Sequence, residues 1–235
     1  MEKISDVKVI GFDADDTLWH NEAYFLEAQE RFWGLMEDFL PQHTTARELM
    51  QTEIQNIDLY GYGIKAFILS MVETAIRISE GTITTKVIEQ IIGCGKDMLA
   101  KPVELIDDVE AVLSALEGRY RLVVVTKGDL LDQQRKLEKS GLEHFFHHIE
   151  IVSEKNAAGY LKLLQHLDVG PGQFAMIGNS LKSDVLPVLG LGGYGIHVPY
   201  HTTWEHEQVD IQITDPNFVE LAKIRDLLTY FPDNR

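Results

Sequence analysis

From residue 108 to residue 198, short apolar runs alternate with amphipathic segments, and this alternation restricts the fold more than any other feature. Residues 108–117 read as a helix, 121–126 as an apolar strand, 130–140 as a helix ended by Gly141, and 148–152 as a second strand. The series continues with a helix over 158–167, a strand over 173–178, a helix over 184–189 and a strand over 194–198. Strands that alternate with helices imply parallel pairing and a doubly wound, Rossmann-like α/β sheet with helices on both faces.

Near the N-terminus, Val7, Val9, Ile10 and Phe12 read as a further buried strand of that sheet, which ends abruptly in acid at Asp13, Asp15 and Asp16. Between this strand and the alternating region the period changes. Phe25, Phe32, Met36, Phe39 and Leu40 recur at helical spacing, as do Ile64, Phe67, Ile68, Met71, Val72 and Ala75, and again Val87, Ile88, Ile91 and Ile92. Residues 44–57 form a weaker helical pattern, and Pro41, the Gly61-Tyr62-Gly63 triplet and Gly81 before Thr84 and Thr85 mark the turns. An even number of antiparallel helices returns the chain to its point of departure. The expected organisation is an α/β core of residues 1–20 and 101–235 with a helical domain inserted over 21–100. One more helical stretch is expected over 218–228.

Composition narrows the function classes. The 37 acidic against 21 basic residues give a formal net charge of −16, which disfavours a nucleic-acid partner, since a phosphate backbone needs a basic face. No apolar leader follows a basic N-terminus, and the apolar stretch over 185–200 is interrupted by Pro187, glycines and His197, so neither secretion nor a membrane is expected. The single cysteine, Cys94, lies in a helical pattern and excludes an internal disulfide, in keeping with a cytoplasmic protein.

Each predicted core strand ends in polar residues of a distinct kind. The first ends at Asp13 and Asp15, the second at Thr126-Lys127-Gly128, the third leads into Ser153-Glu154-Lys155, and the fourth ends at Gly178-Asn179-Ser180 with Asp184 beyond. Parallel strands finish on one edge, where open α/β sheets bind ligands, so these groups converge despite their separation in sequence. Carboxylates, a hydroxyl beside backbone N–H groups, an ammonium and further oxygen ligands suit phosphoryl transfer, in which positioning and charge neutralisation do most of the work.

The four motifs, in this order and each after a strand, resemble those of the haloacid dehalogenase superfamily of phosphohydrolases, over nearly the whole chain. The segment Asp13-Ala14-Asp15-Asp16-Thr17 matches the first motif, Thr126 with Gly128 the second, Lys155 the third, and Gly178-Asn179-Ser180 with Asp184 the fourth. The inserted helices correspond to the helical cap of one branch of that family. The resemblance implies Asp13 as the nucleophile that forms an aspartyl-phosphate, Asp15 as general acid and base, and Lys155 as the charge that balances Asp13 and the phosphate. It implies that Thr126 and the N–H groups of Lys127 and Gly128 hold the phosphoryl oxygens, and that Mg²⁺ is held by Asp13, the backbone carbonyl of Asp15, and Asn179 or Asp184.

One departure stands out, because the family usually carries aspartate where this chain has Asn179. The amide brings no charge to a metal and keeps open a metal-independent 2-haloacid dehalogenase, against which Asp15 argues, since a departing halide needs no acid. A phosphomutase shares the same motifs, and a protein that binds a phosphorylated ligand without turnover is a further alternative. Between the inserted helices, Tyr62 and Lys65 are candidates for reading the substrate beyond its phosphate, and His20, after the first strand, is a candidate contact at the hinge. The expected activity is a Mg²⁺-dependent phosphomonoesterase acting on a small soluble phosphorylated metabolite, as a monomer or homodimer.

Overall fold

A computed structural model describes residues 4, 6–202, 204–209 and 211–231. In chain order the elements are β1 (Val9–Phe12), α1 (Glu22–Met36), α2 (Gln42–Tyr60), α3 (Ile64–Ile78), α4 (Thr85–Ala100), α5 (Val109–Leu116), β2 (Arg121–Lys127), α6 (Leu130–Ser140), β3 (His148–Val152), α7 (Ala157–His166), β4 (Phe174–Gly178), α8 (Leu186–Leu189), β5 (Tyr194–His197), β6 (Phe218–Glu220) and α9 (Leu227–Tyr230). The chain forms two compact units. One comprises residues 1–20, 103–127 and 133–235, and the other residues 21–102 and 128–132.

The first unit is an α/β doubly wound structure around a six-stranded, wholly parallel sheet of order β3-β2-β1-β4-β5-β6. β1 lies at its centre, with Val9 opposite Arg121 on one side and Phe174 on the other. Because side chains alternate across a strand, each central strand feeds two cores. Ile10, Phe12, Leu122, Val124, Ala175 and Ile177 pack with Val112, Leu113 and Leu116 of α5 and Leu227 of α9. Val9, Val123, Val125, Phe174 and Met176 face the other way, onto Tyr160, Leu163 and Leu164 of α7 and Val188 of α8. A sheet covered on both faces explains why these strands read as continuous apolar runs rather than alternating ones.

The tail departs from expectation. Residues 218–220 form strand β6, paired in parallel with β5 through Gly195 to Phe218 and His197 to Glu220, and helical structure resumes at a 3₁₀ turn, Ile224–Asp226, that leads into α9. Pairing with the open edge of β5 outweighs the local helical periodicity, as tertiary context commonly does for weak propensities. The expected helix over 184–189 also begins differently, since a π-helical turn, Leu181–Val185, precedes α8.

The second unit buries Phe32 and Met36 of α1, Leu49 of α2, Phe67, Met71 and Ala75 of α3, and Ile91, Cys94 and Met98 of α4 in a core of its own. Cys94 is a buried packing residue. Thr84 caps α4 by accepting the N–H of Val87, while Gly61 and Gly63 take positive φ angles of 71° and 103° at the turn between α2 and α3. The α2–α3 seam is polar, with Thr74 Oγ1 donating to Thr52 Oγ1 at 2.9 Å and Asn56 Nδ2 donating to Ser70 Oγ at 3.1 Å. Residues 128–132, expected in the core, group with this unit, where Lys65 Nζ pairs with the Asp129 carboxylate at 3.0 Å. No described helix is long and apolar enough to cross a membrane.

Candidate active site

The chain leaves β1 through a tight turn in which Asp16 adopts φ 62°, a left-handed conformation that aspartate tolerates better than most residues. The Leu18 N–H closes that turn onto the Ala14 carbonyl at 2.8 Å, and Asp13 keeps one more ladder bond, its N–H donating to the Ile177 carbonyl at 2.8 Å. Asp13 is thereby fixed at the carboxyl edge, flanked by the ends of β2 and β4.

Around Asp13 the structure gathers a buried charge cluster. Lys155, only 2% exposed in its side chain, donates to Asp13 Oδ1 and, at 2.6 Å, to Asp184 Oδ1. The Thr17 hydroxyl donates to Asp13 Oδ2 at 3.1 Å, and the Ser180 N–H donates to Asp184 Oδ2 at 3.0 Å. Gly178 makes the approach of Asp184 possible, because a Cβ there would lie 2.1 Å from Asp184 Oδ2. Burial, aided by the charges of Asp184 and Asp15, holds Asp13 up at about 7 against the pull of Lys155. Burial works against the Lys155 ammonium too, but the two carboxylates outweigh it and raise its pKa.

Asn179 completes the edge. Its amide places one atom 3.2 Å from Asp13 Oδ2 and 3.3 Å from the Asp15 carbonyl, both acceptors, so with the NH₂ turned inward it satisfies the two together. His197, at the end of β5, lies 3.1 Å from the Asn179 carbonyl through Nε2 and 3.1 Å from Glu220 through Nδ1, which ties the Asn179 backbone to β6.

The Asp15 side chain turns to a separate set of donors. Trp19 Nε1 donates to it at 2.7 Å, Gln133 Nε2 at 2.8 Å and Lys136 Nζ at 2.6 Å. Gln133 Nε2 also donates to the Lys127 carbonyl at 2.8 Å, which links Asp15 to the end of β2. Thr126 is buried there. The Lys127 ammonium reaches Glu207 at 2.6 Å and Ser183 Oγ at 3.0 Å.

A sequence profile of the hydrolase family described as haloacid dehalogenase-like hydrolase matches residues 7–188, which contain all four strand-end motifs. The chain belongs to this hydrolase family. A haloacid dehalogenase-like hydrolase from Xanthomonas campestris, solved as a crystal structure, is 36% identical and superimposes with a TM-score of 0.87 over 98% of this chain and 95% of that one. The glyceraldehyde 3-phosphate phosphatase of Methanothermobacter thermautotrophicus is 24% identical over 94% of this chain and 100% of its own length. The mouse N-acylneuraminate-9-phosphatase is 33% identical over 93 residues, and the match spans only 38% of that relative.

In this family member, Asp13, Lys155, Asn179 and Asp184 meet in one cluster, with the Asp15 carbonyl beside it and Thr126 and Lys127 at the neighbouring strand end. His20 is partnered by Tyr200, its Nδ1 2.6 Å from the Tyr200 hydroxyl. Tyr62 and Lys65 belong to the helical unit, and so does Gly128, whose φ of 122° requires glycine. Sequence reasoning missed Gln133, Lys136, His197 and Glu207, and gave Thr17 no role beyond its place in the first motif. Gln133 and Lys136 carried a usable signal, since they stand three residues apart on the helix after β2 and share a face. Glu207 carried none, since its partners Lys127, Ser180 and Ser183 lie 80, 27 and 24 residues away in sequence.

Proposed function

We propose that the chain is a Mg²⁺-dependent phosphomonoesterase acting on a small soluble phosphorylated metabolite. One observation carries this reading: a buried carboxylate, Asp13, shares its edge of the sheet with a second carboxylate, Asp15, held separately by Trp19, Gln133 and Lys136. Two carboxylates on one edge can serve one as nucleophile and the other as general acid and base. The two relatives named as phosphatases support the same choice.

The residues fit the metal. Turning the Asn179 amide over, so that its oxygen takes the place of the NH₂ 3.2 Å from Asp13 Oδ2 and 3.3 Å from the Asp15 carbonyl, would bring three oxygens together as a set able to hold Mg²⁺. We assign Asn179 rather than Asp184 to the set because its amide lies beside both Asp13 Oδ2 and the Asp15 carbonyl, whereas Asp184 faces Lys155 and the Ser180 N–H. When bound, Mg²⁺ supplies positive charge that neutralises phosphoryl oxygens and offsets the crowded carboxylates.

In the first step the free lone pair of Asp13 attacks phosphorus, the ester P–O bond breaks, and an aspartyl-phosphate forms. Lys155 and Thr17 orient the Asp13 carboxylate for this attack. Asp15 gives a proton to the departing oxygen and then takes one from the water that hydrolyses the intermediate, releasing inorganic phosphate and restoring Asp13. Delivering that proton requires the Asp15 carboxyl to exchange its bond to Lys136 for one to the leaving group. Thr126 and the backbone N–H groups of Lys127 and Gly128 hold the phosphoryl oxygens.

Halide displacement is the second reading, favoured by the neutral amide at Asn179. A panel of phosphomonoesters with Mg²⁺, assayed for released phosphate beside 2-chloropropionate assayed for released chloride, separates the two. The proposal expects phosphate from at least one ester and no chloride. Chloride release without phosphate release overturns it.

A further inference from the structure

We infer that Glu207 is a positioning residue for the phosphoryl site, bridging the end of β2 and the turn after β4 so that the two keep their spacing on either side of Asp13. This rests on the phosphomonoesterase reading and adds to it a residue outside the four motifs. The argument begins with sheet order. β2 and β4 do not pair, because β1 lies between them, and strands two apart are separated by roughly 10 Å. Ladder hydrogen bonds therefore do not join the end of β2 to the turn after β4, and side chains must do so; Lys127 Nζ donates directly to Ser183 Oγ at 3.0 Å.

Glu207 reinforces that link from a third segment. Its Oε1 accepts from Lys127 Nζ at 2.6 Å, while Oε2 accepts from Ser180 Oγ at 2.6 Å and Ser183 Oγ at 2.5 Å. The same turn after β4 is secured from within, since the Ser183 N–H donates to Ser180 Oγ at 3.0 Å, and from α7, since the Tyr160 hydroxyl donates to the Ser183 carbonyl at 3.1 Å. Glu207 stands on a single helical turn, Glu205–Glu207, with no strand or long helix to hold it. Lys182 fastens that turn by donating to the His206 carbonyl at 2.8 Å.

The side chains of Lys127 and Glu207 are 15% and 12% exposed, so their charge-assisted bonds are only weakly screened. The Lys127 charge is thus engaged in the brace, and the part of Lys127 assigned to substrate is its backbone N–H. A brace that holds ground state and transition state alike acts on affinity more than on the chemical step.

The test compares wild type with Glu207→Gln, Ser183→Ala and the double variant, using p-nitrophenyl phosphate for turnover and orthovanadate as a phosphoryl analogue. Orthovanadate binding is read from thermal melting, which needs no turnover. Glu207→Gln is expected to raise KM and the orthovanadate dissociation constant about ten-fold each with kcat within about three-fold. Adding Ser183→Ala to it should change neither by more than about two-fold, because the two residues act through one network. A folded Glu207→Gln with both constants within two-fold of wild type overturns the inference. If Glu207→Gln does not fold, Ser183→Ala alone must show the same KM and orthovanadate shifts at smaller size, and their absence overturns it. A wild type that binds orthovanadate without hydrolysing any phosphomonoester overturns the phosphatase reading alone, and the binding ratios still decide the role of Glu207. A wild type that neither hydrolyses nor binds overturns both.

Discussion

Lys136 Nζ lies 2.6 Å from Asp15 Oδ1, so the carboxyl assigned as general acid is held by a cation from the helix that follows the second core strand. Asp15 is reachable there, with about a quarter of its side chain exposed. On the proposed reading, the pair sets where Asp15 waits between proton transfers. Asp15→Asn should reduce turnover of alkyl phosphates by about 10²-fold or more and affect p-nitrophenyl phosphate far less, because a good leaving group needs little protonation. Lys136→Ala should show the same leaving-group pattern at about ten-fold. Equal losses on both substrate types would remove Asp15 as the acid.

Asn179→Asp places a negative charge 3.2 Å from Asp13 Oδ2 and 3.3 Å from the Asp15 carbonyl. Without metal the added repulsion should lower the melting temperature, and Mg²⁺ should raise it by more than in wild type, since a ligand that binds only the folded state stabilises it by mass action. The Mg²⁺ concentration for half-maximal activity should fall several-fold. Asp184→Asn should leave that midpoint within about two-fold while lowering kcat, because Asp184 acts on Lys155. The opposite pattern would put Asp184 in the metal shell.

The pH dependence of stability carries a signature of Glu207. Although burial opposes its charge, the Lys127 ammonium and the two serine hydroxyls hold its carboxyl down at about 2, against an ordinary 4.5. A depressed carboxylate contributes stability that is present above 4.5 and lost as pH falls through about 2. At about 1.4 kcal/mol per pH unit, the difference between 4.5 and about 2 is on the order of 3 kcal/mol. Glu207→Gln should therefore be less stable than wild type in urea titrations at pH 7, with the gap closing between pH 4.5 and 2. A gap that does not narrow over that range would contradict the assignment of the shift to Glu207.

What was legible in the sequence follows from how local each signal is. The end of β1 could be read because burial on both faces makes an apolar run that stops where Asp13 begins. Lys155 and Asp184 could be placed because their order after successive strands restricts them to one edge. Their ion pair could not, since nothing in the spacing distinguishes a carboxylate that faces a metal from one that faces an ammonium. The helical pattern over 218–228 misled because the β5 edge, not the local period, decides the conformation of Phe218 and Val219. Glu207 was hidden for the same reason: its partners Lys127 and Ser180 are 80 and 27 residues away. Asn179 was visible as a departure from the family pattern, and its geometry beside Asp13 Oδ2 gives that departure a chemical meaning.

The central claim is that Asp13 is the nucleophile of a phosphomonoesterase. Phosphate released from p-nitrophenyl phosphate by wild type and by Asp13→Asn, in matched Mg²⁺ and with far-UV circular dichroism to verify the fold, tests it most directly. The replacement is nearly isosteric and cannot form an aspartyl-phosphate, so the account predicts wild-type turnover and a loss of at least about 10²-fold in a folded Asp13→Asn. A folded Asp13→Asn that keeps a tenth or more of the wild-type rate would contradict it.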